Sequence, residues 1–109
     1  MHKIYCIIID RRYYDFNEWK DNMMNYVYIV ECSDGTLYTG WTNNLDKRIE
    51  QHCNGTGAKY TRGRGPVRLV YHEEFNDKRD AMRREYEIKR YSRINKLKLI
   101  ENMQKYDKK

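Results

Sequence analysis

Tyr26-Val-Tyr-Ile-Val-Glu-Cys-Ser-Asp-Gly-Thr-Leu-Tyr-Thr-Gly40 is the stretch that decides how this chain folds. Two short apolar runs, Val27–Cys32 and Thr36–Trp41, flank Ser33-Asp34-Gly35, and an Asp-Gly pair between β-type runs marks a hairpin. Gly35 can take the positive φ that such a turn requires. Side chains alternate along a strand, so Tyr26, Tyr28 and Val30 share one face, while Leu37 and Thr39 oppose Tyr38. The hairpin therefore carries two phenols, Tyr28 and Tyr38, ten residues apart on neighbouring strands. Two such aromatics are ordinarily packing residues. An Arg, a His and a Glu further along the chain give them a second meaning.

Beyond the hairpin, Thr42, Asn43 or Asn44 can cap a helix from about Leu45 to Cys53. Leu45, Ile49 and Cys53 recur every four residues and form its buried stripe, and Arg48 and His52 stand together on the adjoining face. The loop from Asn54 to Pro66 holds four of the six glycines and the single proline, and Lys59, Arg62 and Arg64 make it basic. Val67–Phe75 reads as a third strand, with Pro66 before it where a missing N–H is harmless. Asn76 or Asp77 then caps a helix over roughly 78–91, whose inward positions are Ala81, Met82, Glu85, Ile88 and Tyr86 or Tyr91. Arg83, Arg84, Lys89 and Arg90 are expected outward. Ser92 caps a final helix with Ile94, Leu97, Ile100 and Met103 inward. The reading is α+β, a small three-stranded antiparallel sheet flanked by helices in the order β-β-α-β-α-α, over residues 24–103 with a basic tail at 104–109.

Residues 1–23 differ in character from the rest of the chain. Ile4–Ile9 is an apolar run followed at once by Asp10-Arg11-Arg12, without the small-residue cleavage site of a signal peptide. Met24 is a natural translation start, so this stretch reads as an upstream extension or as an added strand or helix. No segment is long and apolar enough to span a bilayer. Cys6, Cys32 and Cys53 lack metal-ligand spacing, which fits free thiols in a cytoplasmic protein and argues against zinc.

Charge is unevenly spread. The chain has 22 basic and 16 acidic residues, and residues 78–109 alone hold twelve basic against five acidic ones. A basic segment beside a near-neutral body suits a polyanion, nucleic acid or an anionic surface, although spare lysines on a solvated helix are also common. An inward Glu85 needs a cationic partner, either an arginine or a divalent metal. Taken with Arg48, His52 and the two phenols, it completes a set suited to phosphodiester hydrolysis. That reaction needs a base for the attacking water, cations around the phosphorane and a stabilised leaving oxygen.

At these residues the chain resembles the GIY-YIG nuclease family. Tyr26-Val27-Tyr28 corresponds to the first element and Tyr38-Thr39-Gly40 to the second, followed by Arg48, His52 and Arg84-Glu85-Tyr-Glu-Ile88-Lys89. It looks most like the small stand-alone members, which share stretches similar to Glu31–Gly40, Gly57-Ala-Lys-Tyr-Thr-Arg62 and Pro66-Val-Arg-Leu-Val-Tyr71. The resemblance implies an endonuclease using one Mg²⁺ or Mn²⁺ held by Glu85. Tyr28 would act as general base or water-orienting group, Tyr38 as its assistant, Arg48 as phosphate ligand and His52 in proton transfer. The chain departs from the pattern at Tyr26, where the family has glycine, and at Thr39, where it has isoleucine; Asn95 lies in range of a family asparagine. Lys59, Arg62 and Arg64 are expected to grip backbone phosphates, of DNA rather than RNA, largely without regard to sequence. A catalytically silent nucleic-acid-binding module on the same scaffold is the alternative, and a protein-interaction domain for an acidic partner is the weakest one.

Overall fold

The structure, a computed structural model, describes residues 24–107, with side chains through Gln104. The expectations for residues 1–23 lie outside the described residues, as do those for Lys108 and Lys109. The described chain runs β1 (Asn25–Glu31), β2 (Leu37–Thr42), α1 (Leu45–Cys53), a 3₁₀ turn (Lys59–Thr61), β3 (Arg68–Phe75), α2 (Lys78–Lys89) and α3 (Arg93–Asp107). This is the expected α+β order. The strands form one antiparallel sheet in the order β2-β1-β3.

β1 lies in the middle and is covered on both faces, which is why Tyr26 through Val30 form an unbroken run rather than an alternation. The hairpin closes with Glu31 opposite Leu37, and Gly35 sits at φ 86°, donating its N–H to the Cys32 carbonyl. Each helix start is fixed by one of the expected caps. Asn44 Oδ1 accepts from the Lys47 N–H, Asp77 Oδ1 from the Arg79 N–H, and Ser92 Oγ from the Asn95 N–H.

The pleat of β1 divides the core in two. Tyr26, Tyr28 and Val30 pack with Leu45 and Ile49 of α1, with Val67, and with the partly buried Tyr38. Val27 and Ile29 face the other way, onto Ala81 and Ile88 of α2 and Ile100 of α3.

Several outward and inward assignments change. Met82 and Tyr86 are exposed, because two helices share one small sheet face and α2 buries only the narrow stripe through Ala81 and Ile88. Ile94 and Leu97 are exposed too, while Ile100 is buried. Three-residue steps on a helix drift by about 60° each, so Ile94 and Met103 stand on opposite sides of α3 and cannot both face the sheet. Arg84 turns inward instead of outward, since Glu73 on β3 offers its carboxylate at 3.0 Å. The last helix continues to Asp107, into the stretch expected as a tail, where no breaker follows Met103. Of the cysteines, Cys32 is a buried free thiol as expected.

Candidate active site

Tyr28 projects from the central strand toward α1, and its ring is fully buried. Its hydroxyl lies 2.8 Å from His52 Nε2. His52 is on the inner face of α1, one turn after Arg48, and no part of it reaches solvent. Its other ring nitrogen, Nδ1, lies 2.8 Å from Thr61 Oγ1, and the Thr61 hydroxyl is itself 2.9 Å from the Ala58 carbonyl. A continuous buried line of polar atoms thus runs from β1 through α1 into the glycine-rich loop.

Two glycines make the close approach possible. A Cβ at Gly40 would sit 2.5 Å from the Tyr28 hydroxyl, and one at Gly57 would sit 2.5 Å from His52 Nδ1. Real side chains do not tolerate such separations, so the backbone itself walls the hydroxyl on one side and the imidazole on the other.

Electrostatics hold the pair neutral at rest. Burial pushes the Tyr28 phenol up to about 12, and the charges of Tyr38 and Glu85 push in the same direction, while the Arg48 guanidinium against the phenol opposes them. Burial, with the Arg48 charge added, holds His52 down to about 4. The neutral phenol keeps its proton and can give it to His52 Nε2, leaving a lone pair on its oxygen free to accept. Arg48 also donates to Gln51 Oε1 at 3.0 Å.

Tyr38 closes the other side. Its ring centroid is 6.5 Å from that of Tyr28 and 5.4 Å from that of His52, and it stacks on Tyr60 at 5.7 Å. Glu85, its side chain 18 % exposed, accepts from Lys89 Nζ at 3.2 Å, and that ammonium lies 5.9 Å from the Tyr38 ring centre. This side of α2 therefore reaches Tyr38, and the Glu85 charge is felt at Tyr28. Tyr28, Tyr38 and His52 are in mutual contact, Arg48 stands one turn before His52 on α1, and Glu85 approaches Tyr38 through Lys89 although α2 packs against the opposite sheet face.

Among the described residues no group of three or more His, Cys, Asp or Glu side chains gathers as a metal site. A single carboxylate is nonetheless a sufficient protein ligand for Mg²⁺, which keeps most of its waters. Glu85 fits that use, since its ion pair is with a half-exposed lysine on its own helix.

The expected phosphate-gripping residues divide. Lys59 and Arg62 are exposed on the 3₁₀ turn and just after it. Arg64 is instead tied to Asp34 at 2.7 Å, with its guanidinium 4.5 Å from the Tyr60 ring centre, and so anchors the loop to the hairpin. Asn95 is exposed in the first turn of α3, and no contact brings its side chain to the site. Sequence reasoning left out Thr61, Gly57 and the contact made by Gly40; the available signal was a hydroxyl in a glycine-rich loop directly after the Arg48–His52 helix.

A family profile described as "GIY-YIG catalytic domain" matches residues 24–98. The chain is 68 % identical over 77 residues to a UPF0213 protein of Clostridium perfringens, covering 71 % of this chain and 83 % of that one. It is 59 % identical over 76 residues to a UPF0213 protein of Staphylococcus saprophyticus, covering 70 % and 93 %. Among solved structures, the solution NMR structure of a protein from E. faecalis is similar, with 31 % identity, a TM-score of 0.50, and coverage of 79 % of this chain and 88 % of that one. No helix among the described residues is long and apolar enough to cross a membrane.

Proposed function

The chain belongs to the GIY-YIG catalytic-domain family, and from that premise we propose that it is a divalent-metal-dependent endonuclease that hydrolyses phosphodiester bonds of nucleic acid, DNA rather than RNA, in the cytoplasm. The observation that carries this reading is the buried Tyr28–His52 hydrogen bond, with Tyr38 packed against both rings. A binding module has no use for a desolvated phenol–imidazole pair beside a carboxylate.

A phenol pushed up to about 12 is a poor free base at neutral pH. The pair avoids that difficulty by passing the proton on. The attacking water gives a proton to the Tyr28 oxygen while the phenol proton moves to His52 Nε2, so tyrosine is neutral before and after. The water oxygen bonds to phosphorus, and the phosphorus–oxygen bond to the leaving strand breaks. His52 ends as imidazolium, stabilised by the negative charge that accumulates on the phosphorane next to it. Arg48 neutralises the phosphate and Tyr38 donates a hydrogen bond beside it. Glu85 would hold one Mg²⁺ or Mn²⁺, which would supply charge neutralisation and stabilise the leaving oxygen. Lys59 and Arg62 grip strand backbone, and Arg64 chiefly holds the loop that presents them.

Single-turnover assays on labelled single-stranded, duplex, flap and junction DNA with Mg²⁺ or Mn²⁺ test the reading. Wild-type protein is expected to cut at least one substrate. Glu85→Ala is expected to abolish cleavage while keeping DNA affinity unchanged or slightly raised, since it removes a negative charge. A wild-type chain that binds DNA and cuts nothing with either metal establishes the silent module instead.

A further inference from the structure

We propose that Thr61 is a positioning residue that fixes the tautomer of His52, with the proton on Nδ1 and the lone pair on Nε2, so that His52 can accept the Tyr28 proton. The consequence for rate rests on the nuclease reading above, but the tautomer itself does not.

Neutral imidazole carries one N–H, and which nitrogen bears it depends on the partners of both. Nδ1 faces Thr61 Oγ1 at 2.8 Å, and the Thr61 hydroxyl faces the Ala58 carbonyl at 2.9 Å. A carbonyl can only accept, so the single hydroxyl proton of Thr61 is directed to Ala58. That leaves Oγ1 as the acceptor for an N–H on Nδ1. At the far end of the ring the buried Tyr28 phenol needs an acceptor for its own proton, which Nε2 provides at 2.8 Å. Both ends demand the same tautomer. The reverse one would set an N–H against the phenol oxygen and leave the buried phenol proton without an acceptor.

No water can stand in for Thr61. His52 and Thr61 are both fully buried, and the backbone at Gly57 lies directly against Nδ1. The loop is also held where it must be. The Thr61 N–H donates to the Ala58 carbonyl at 3.0 Å, and the Thr61 carbonyl accepts from the Arg64 N–H at 3.1 Å. The Arg64 carbonyl in turn accepts from the Ser33 N–H at 2.7 Å, which pins the loop to the hairpin turn. The same short turn displays Lys59 and Arg62 outward, so the segment that would meet the strand backbone also orients the proton acceptor behind it.

The test is ¹⁵N NMR of the His52 ring in the full chain at neutral pH, beside Thr61→Val and Thr61→Ser. Wild type should show a protonated Nδ1 and an unprotonated Nε2. Thr61→Val, equal in shape and lacking the hydroxyl, should lose that pattern for the other tautomer or a mixture, and Thr61→Ser should restore it. Single-turnover cleavage should follow the spectra. Thr61→Val should lose on the order of 10- to 100-fold in rate with little change in substrate affinity, and Thr61→Ser should recover most of it. A wild-type spectrum with the proton on Nε2 overturns the proposal, and so does a Thr61→Val spectrum identical to wild type. Should Thr61→Val fail to fold, the wild-type spectrum and the Thr61→Ser rescue still decide. A wild type that cuts no DNA but shows the Nδ1–H tautomer removes the nuclease reading and leaves the role of Thr61 standing.

Discussion

The two faces of one three-stranded sheet bury their polar groups to different depths. The face toward α2 and α3 is aliphatic at its centre, with Val27, Ile29, Ala81, Ile88 and Ile100 held together by area removed from water, while Tyr71, Glu73 and Arg84 link polar groups at its part-buried edge. Thr39, opposite Ile29 in the sheet, is buried and its hydroxyl has no hydrogen-bond partner among the described residues. The face toward α1 is buried as well, yet His52, Thr61 and the Tyr28 hydroxyl are joined in series there. A buried polar group without a partner is a loss of stability, whereas a joined series positions protons. The difference teaches where to look for chemistry: on the face where the linked polar groups are fully buried.

The largest effect should come from the aliphatic face. Ile88→Ala is expected to lower the unfolding free energy by about 4 kcal/mol in denaturant titration, since the fully buried side chain leaves a cavity. Chemical shifts of His52 should stay where they are. If they move with the stability, the two faces are not independent.

Acidification should strike the other face through His52. Folded His52 is held at about 4 against an ordinary value of 6.5, so between those limits the unfolded chain binds a proton that the folded chain refuses. Its contribution is present above pH 6.5 and is lost as pH falls toward 4, by about 3 kcal/mol in all. Unfolding of wild type and His52→Gln at pH 7 and pH 4.5 isolates this term from the carboxylates, and the gap between the two proteins should narrow by roughly 2 kcal/mol. An equal gap at both values would mean that His52 is not a buried neutral imidazole.

Gly40→Ala should cost about 2 kcal/mol, because the added Cβ meets the Tyr28 hydroxyl and the buried ring has no room to retreat. The Tyr28–His52 hydrogen bond should weaken with it, seen as a change at Nε2 in the ring spectrum. The smallest effect has the opposite sign. Thr39→Val removes the orphaned hydroxyl and should raise stability by about 1 kcal/mol in thermal melts without altering His52.

Local chemistry made much of this legible in advance. The hairpin around Gly35 and the caps Asn44, Asp77 and Ser92 all depend on neighbours a few residues away. The pairing of Arg48 with His52 comes from one helical turn. What escaped depends on partners distant in sequence. Arg84 turned inward because Glu73 waits on another strand, and Arg64 became an anchor because Asp34 lies 30 residues earlier. Thr61 belongs to the same class. Its loop has no period, and only the fold brings its hydroxyl to His52. Ile94 and Leu97 show the converse, where a spacing of three was mistaken for a stripe that a helix does not keep.

The central claim is that Tyr28 and His52 act as one proton-handling unit. It is tested most directly by a double-mutant cycle of Tyr28→Phe and His52→Gln in single-turnover cleavage of the best DNA substrate with Mg²⁺. Each single variant should lose about 10²- to 10⁴-fold, and the double variant should be no slower than the worse single one. Losses that multiply, or a His52→Gln variant as fast as wild type, would contradict it.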